Sequence, residues 1–230
     1  MQSWLADLPR YQGQIVGLLR DRSPEPAFEA SVTQFIETNE RTRSSITATI
    51  APALAWLTHK PAQLAALPTR LGGRPLDVGA LLAERGTVFM LGGEEHQVAP
   101  LVCAMTGWIA REARRLAAYC PGGRLDPPLG LRLDEAALIC RVPLHQWSAD
   151  MGGRGVSIVA CFQSRAQLVD HYGPAKAATI VNNAGAKVLF GGTGDRDDLQ
   201  YWSTLAGGRD EPIPTNDMNG RVASRPTRRV

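Results

Sequence analysis

The sequence predicts an α/β protein in which a helical segment precedes a mainly parallel sheet, and three observations carry that prediction. Apolar residues recur at threes and fours between Trp4 and Leu57. Beyond residue 70, short apolar runs alternate with helical patterns, the signature of parallel strands joined by crossover helices. Glycine or proline bounds each run.

The first helical pattern covers 4–19, and Pro24 and Pro26 separate it from a second over 28–57, with Val32, Phe35, Ile36, Ile46, Ile50, Leu54 and Leu57 on the repeat. Prolines from Pro61 to Pro75 and the pair Gly72-Gly73 make a turn-rich passage, which sets a boundary near residue 70. The expected organisation is a helical subdomain over 1–70, an α/β portion over 71–206 and a mobile basic tail over 207–230, where five arginines accompany little that could form a core. Four runs read as strands: 87–91, 129–133, 156–162 and 187–190. Between the first two, Pro100 stands at a helix start, Leu101, Met105, Ile109 and Leu116 mark one face, and Pro121-Gly122-Gly123 stops the helix. Further helices are predicted over 164–172, 174–183 and around 199–205, and no strand-like run comes after them.

Composition narrows the function classes. A hydrophobic content of 44% with 20% charge is that of a soluble globular protein, and a net charge of +3 over 230 residues does not by itself argue for nucleic acid. The longest apolar stretch, 46–57, contains Thr47, Thr49 and Pro52 and is too short to span a bilayer. Around Asp7 and Arg10 there is no secretory signal pattern. Cys103, Cys120, Cys140 and Cys161 are widely spaced, without a C-x-x-C pair or a histidine at ligand spacing, which argues against a zinc site or disulfide framework and fits a reducing cytoplasm. Cys103, in a helix-like run, and Cys161, in a strand-like one, are expected to behave as small buried hydrophobes.

Chemistry concentrates at the ends of the second and third strand-like runs. In a parallel sheet catalytic groups sit at the carboxyl ends of strands, where Asp134 and Glu135 stand. Adjacent carboxylates there suit a divided task, the aspartate holding the hydration shell of Mg²⁺ and the glutamate polarising an attacking water. An isolated acidic pair serves equally well as a helix start. Gln163, at the tip of the next run, is placed to contact a γ-phosphate or a water, or to cap a helix. Arg154, in Gly152-Gly153-Arg154-Gly155, is either a solvated turn residue or an arginine that reaches a neighbouring subunit's site. The phosphate-cradling signature G-x-x-x-x-G-K-[ST] is missing, since Lys60, Lys176 and Lys187 follow His59, Ala175 and Ala186. No G-x-S-x-G elbow surrounds Ser148, Ser157 or Ser164, which weakens an α/β-hydrolase reading.

Taken in order, Glu40-Arg41-Thr42-Arg43-Ser44-Ser45-Ile46, Gly86-Thr87-Val88-Phe89-Met90-Leu91, Leu133-Asp134-Glu135-Ala136, Gly153-Arg154-Gly155, Cys161-Phe162-Gln163-Ser164 with Gln167-Leu168, and His171-Tyr172-Gly173 carry a family resemblance. Residues 40–208 resemble the TraG/TraD-type coupling proteins of conjugation and type IV secretion. The resemblance implies a partial RecA-like P-loop NTPase three-layer fold. It also implies ATP and Mg²⁺ as cofactors, with Asp134 and Glu135 as the Walker B pair, Gln163 as phosphate sensor and Arg154 as a trans-acting arginine finger. It implies that the first 60 residues belong to the family's all-α domain. The partners it implies are single-stranded DNA, relaxosome proteins through TraM recognition, and other coupling-protein subunits in a hexameric ring at the inner face of the bacterial cell membrane. Arg41, Arg43 and the tail arginines are the residues that favour DNA contact, and an exposed face explains them equally.

The family's membrane helices and Walker A segment precede the region that this chain resembles. Without the backbone cradle and lysine of a P-loop, the expectation is that the isolated chain does not hydrolyse ATP. A missing internal strand is also expected to leave neighbouring strands unpaired. The alternative reading is a non-catalytic docking module that recognises a relaxosome component or joins a coupling-protein ring.

Overall fold

A computed structural model describes residues 3–4, 7–25, 27–66, 76–92, 97–192, 194–216 and 222–229. They form two compact units, Met1–Cys161 and Phe162–Val230. The boundary expected near residue 70 lies outside the described residues, and the division between the two units falls just past the second strand.

In the first unit, helix α1 (Leu8–Arg22) starts at Asp7, whose side chain accepts a hydrogen bond from the Arg10 N–H. It packs on α2 (Ala27–Glu37) through Leu8, Ile15 and Ile36, with Trp4, Tyr11, Leu19, Val32 and Phe35 around them. The helical pattern expected over 28–57 is interrupted. Asn39 caps a new helix, α3 (Glu40–Ile50), by accepting from the Thr42 N–H at 2.9 Å, and with Pro52 near its start the chain continues as a 3₁₀ helix, Ala51–Thr58. Two short helices come next, α4 (Lys60–Ala65) and α5 (Val78–Ala83).

Helix α6 (Ala99–Ala117) packs against the 3₁₀ helix and α5. Its buried face is Val102, Thr106, Ile109, Ala110, Ala113 and Ala117, so Ile109 is where expected while Leu101, Met105 and Leu116 are half-buried at the margin. Three alanines without bulk beyond Cβ let neighbouring backbone come close, which turns the helix by about one residue from the face its larger side chains predict.

Strand β1 (Leu129–Leu133) pairs in parallel with β2 (Val156–Ala160), Leu129 opposite Val156 and Leu133 opposite Ala160. The crossover is α7 (Leu144–Asp150) with the 3₁₀ turn Met151–Arg154. Alternation in β1 is strict: Leu129, Leu131 and Leu133 are buried, Gly130 and Arg132 exposed. In β2, Val156 is buried while Ser157 and Val159 face solvent.

Mixed α/β character is therefore present, as helices around a two-stranded parallel sheet. The broader sheet expected of the RecA-like class is not established, because two of the four strand-like runs do not pair. Residues 87–91 and 187–190 have no regular structure, and Phe89 and Phe190 are 84% and 81% exposed. Apolar composition alone leaves their N–H and C=O groups without a ladder.

In the second unit, Ser164 caps α8 (Arg165–Tyr172), α9 (Pro174–Asn183) begins on its proline, and Asp195 caps α10 (Arg196–Ala206) by accepting from the Asp198 N–H at 2.8 Å. In place of the strandless tail that the sequence predicts, Arg209–Asn216 (β3) and Val222–Arg229 (β4) pair antiparallel, with Asp210 opposite Arg228 and Ile213 opposite Arg225. These strands lack the apolar alternation that marks a strand in sequence.

Candidate strand-tip site

Backbone bonds position the acidic pair. The Cys161 N–H donates to the Leu133 carbonyl at 2.9 Å, and the Cys161 carbonyl accepts from the Ala136 N–H at 3.1 Å. The end of β2 thus holds the turn that succeeds β1. Within this turn the Glu135 N–H donates to Asp134 Oδ1 at 3.1 Å, and the Glu135 carbonyl accepts from Leu138 and Ile139. Asp134 is exposed and Glu135 half-buried.

Glu135 has φ = +46°, a left-handed conformation that costs a side-chain-bearing residue about 1 kcal/mol. The turn, locked on both sides by backbone hydrogen bonds, holds it there. Strain of this kind is concentrated where a side chain must be aimed. Ala136 and Ala137 are buried just behind, so the carboxylates stand on a packed base.

Arg154 ends the crossover. Its Nε donates to both carboxylate oxygens of Asp150 at 3.1 Å, and Asp150 also takes Arg114 Nη2 at 2.8 Å. Gly155 comes next with φ = +81°, and a Cβ there would lie 2.8 Å from the Leu125 carbonyl oxygen and 2.9 Å from its nitrogen. The same close approach carries the Leu125 N–H to Arg154 O and the Leu129 N–H to Gly155 O, which set the register of the sheet. Of the glycines in this loop, Gly155 is thus the one with a structural demand, while Gly152 and Gly153 have open space around them.

Gln163 belongs to the second unit and is exposed. The expected strand over 156–162 ends at Ala160, which leaves Gln163 in the link to α8. Its N–H donates to Gln167 Oε1 at 3.0 Å while the Gln167 N–H donates to Ser164 Oγ at 3.0 Å, a reciprocal arrangement close to a capping box. Helix α8 is fixed further by a pair without local sequence signal: Arg165 Nε donates to Asp198 Oδ1 at 2.9 Å, with the guanidinium 4.5 Å from the centre of the Tyr201 ring. Asp198 is buried, so this bond ties α8 to α10.

The structure thus joins Asp134, Glu135 and the end of β2 in one turn, places Arg154 on a separate carboxylate, and puts Gln163 at a helix entry. Arg43, one of the candidate DNA contacts, donates to the carbonyls of Ile36 at 2.7 Å and Thr38 at 3.1 Å and so closes the end of α2, while Arg41 is exposed. A single exposed carboxylate with one oxygen already bonded fits a magnesium ion only through its water shell, with phosphates completing the coordination. Among the described residues no group of three or more His, Cys, Asp or Glu side chains could hold a metal ion unaided.

Two thiols differ from their expected burial: Cys161 is exposed and Cys103 half-buried. Cys103, on α6, accepts a hydrogen bond from the Arg141 N–H at 3.0 Å, a contact across 38 positions that no local spacing announces. The adjacent Cys140 thiol, with this N–H, holds Cys103 down to about 6, while the hydrogen bond to Cys103 and burial push Cys140 up.

Fold and site together define an α/β protein with an acidic turn at the tip of a parallel strand pair. Residues 128–227 match the family described as the TraM recognition site of TraD and TraG, a match to the C-terminal portion of TraG/TraD coupling proteins. No curated relative and no solved structure matches the chain. Asp134, Glu135, Arg154 and Gln163 all lie inside the matched residues. Among the described residues no helix is long and apolar enough to cross a membrane.

Proposed function

We propose that this chain is the portion of a conjugative coupling ATPase that carries the Walker B carboxylates and the surface for a relaxosome protein. Its family couples ATP hydrolysis to single-stranded DNA transfer. The family match over 128–227 is the observation that carries this reading. The constrained turn at Glu135 supports it, because a strained carboxylate at a strand tip is suited to orienting water. In this reading Asp134 would hold the water shell of a magnesium ion that accompanies ATP and Glu135 would orient the attacking water, while the resemblance gives Gln163 the role of phosphate sensor and Arg154 that of an arginine finger toward a neighbouring subunit.

The isolated chain is not a competent ATPase, since its 230 residues contain no Gly-Lys pair to hold the β- and γ-phosphates. Purified protein is expected to show no magnesium-dependent turnover. Robust turnover that Glu135→Gln abolishes would overturn this.

The description of the matched family, a recognition site, favours a second reading, in which the chain acts as a docking module without catalysis. Retention of a TraM-type relaxosome protein in the absence of ATP is the expected result. Retention of neither that protein nor single-stranded DNA would count against this reading.

A further inference from the structure

Two of the thiols are brought together by the fold and have no part in the proposed function. Cys103 Sγ lies 3.0 Å from the nitrogen of Arg141 and 3.6 Å from the carbonyl oxygen of Ile139, the backbone atoms that straddle Cys140. Cys140 is 3% exposed, and Cys103 is accessible from solvent. Thr106, one helical turn beyond Cys103 on α6, is buried, with its hydroxyl beside the Cys140 thiol. An otherwise apolar face of α6 thus presents a thiol and a hydroxyl where the segment carrying Cys140 packs against it.

We propose that Cys103 and Cys140 form a peroxide-sensitive dithiol, in which Cys103 is the attacking thiolate and Cys140 the resolving thiol. The order rests on access and on charge. The neighbouring Cys140 thiol and the Arg141 backbone N–H, both donors, favour the anion on Cys103, and the Arg141 side chain adds positive charge. Cys161 is more exposed but has no comparable set of donors described around it, and Cys120, just beyond α6, donates back to the Leu116 carbonyl.

The chemistry balances with hydrogen peroxide as the oxidant. The Cys103 thiolate attacks one peroxide oxygen, the O–O bond breaks, and hydroxide leaves to be protonated to water, which makes the sulfenic acid on Cys103. The Cys140 sulfur then attacks the Cys103 sulfur, the S–O bond breaks, and the hydroxyl departs as water with the thiol proton. Both sulfurs are oxidised by one electron each, and peroxide is reduced to two waters. The new bond ties α6 to the residue that closes the turn carrying Asp134 and Glu135.

The test is a peptide map of the unmodified full chain after brief exposure to hydrogen peroxide, digested without reductant. A Cys103–Cys140 cross-linked peptide that has lost two hydrogens and is restored by dithiothreitol is the expected product. In Cys140→Ala the reaction should stop at a sulfenic acid on Cys103, trapped by dimedone, and in Cys103→Ser Cys140 should stay reduced. Separately, iodoacetamide at neutral pH should label Cys103 about tenfold faster than Cys161, because more of it is thiolate. Its rate should fall as acid protonates it through a midpoint of about 6. Cross-links involving other cysteines instead, or Cys103 labelling no faster than Cys161, would overturn the proposal.

Discussion

Leu129, Leu131 and Leu133 bury one face of β1, whereas Val88, Phe89 and Leu91, in a run of equal length and similar character, stand exposed and unpaired. The paired strands owe little of this difference to composition. What β1 has, and 87–91 lacks, is a neighbour delivered at fixed register by a crossover: Gly155 lets the backbone pass against Leu125, and the Leu129 N–H meets the Gly155 carbonyl. Residues 187–190 repeat the point in the second unit, with Val188 and Phe190 exposed. An apolar run is a strand only where another strand receives its hydrogen bonds.

Breaking the crossover should separate the two cases most. Gly155→Ala places a Cβ against two backbone atoms at positive φ and should cost about 4 kcal/mol, seen as early loss of the sheet in a denaturant titration. Leu131→Ala empties a buried position of β1 and should cost about 3 kcal/mol by the same measurement. Glu135→Gly relieves the left-handed residue and should raise stability by about 1 kcal/mol; a loss instead would mean that the turn is held by the Glu135 side chain. Phe89→Ser with Phe190→Ser should change stability by less than about 0.5 kcal/mol while reducing aggregation, since neither ring is buried. A cost comparable to that of Leu131→Ala would show that these runs pack as β1 does.

Local devices are legible in the sequence. Proline and glycine punctuation locates α6, α8 and α9 closely, and alternation locates β1. Asp134 and Glu135 can be placed at a strand tip because the apolar run before them ends there. The features that escape such reading depend on distant partners. The capping of α2 by Arg43, the ion pair from Arg165 to Asp198 and the meeting of Cys103 with residues 139–141 all join positions with no periodic relation. The paired strands at the C-terminus are hidden for a related reason: neither segment alternates apolar with polar residues, so nothing local announces the pairing.

Asp150 is shared between Arg114 and Arg154, and the three side chains are partly solvated. Such exposed pairs contribute about 1 kcal/mol or less. When Arg154 lets go, Asp150 retains a cationic neighbour and no lone anion is stranded, so the guanidinium is a detachable member of the group. If Arg154 were drawn away, Arg114 alone would keep the aspartate paired, at a cost of about 1 kcal/mol or less. Removing Arg114 would turn that loose tether into a committed one-to-one pair.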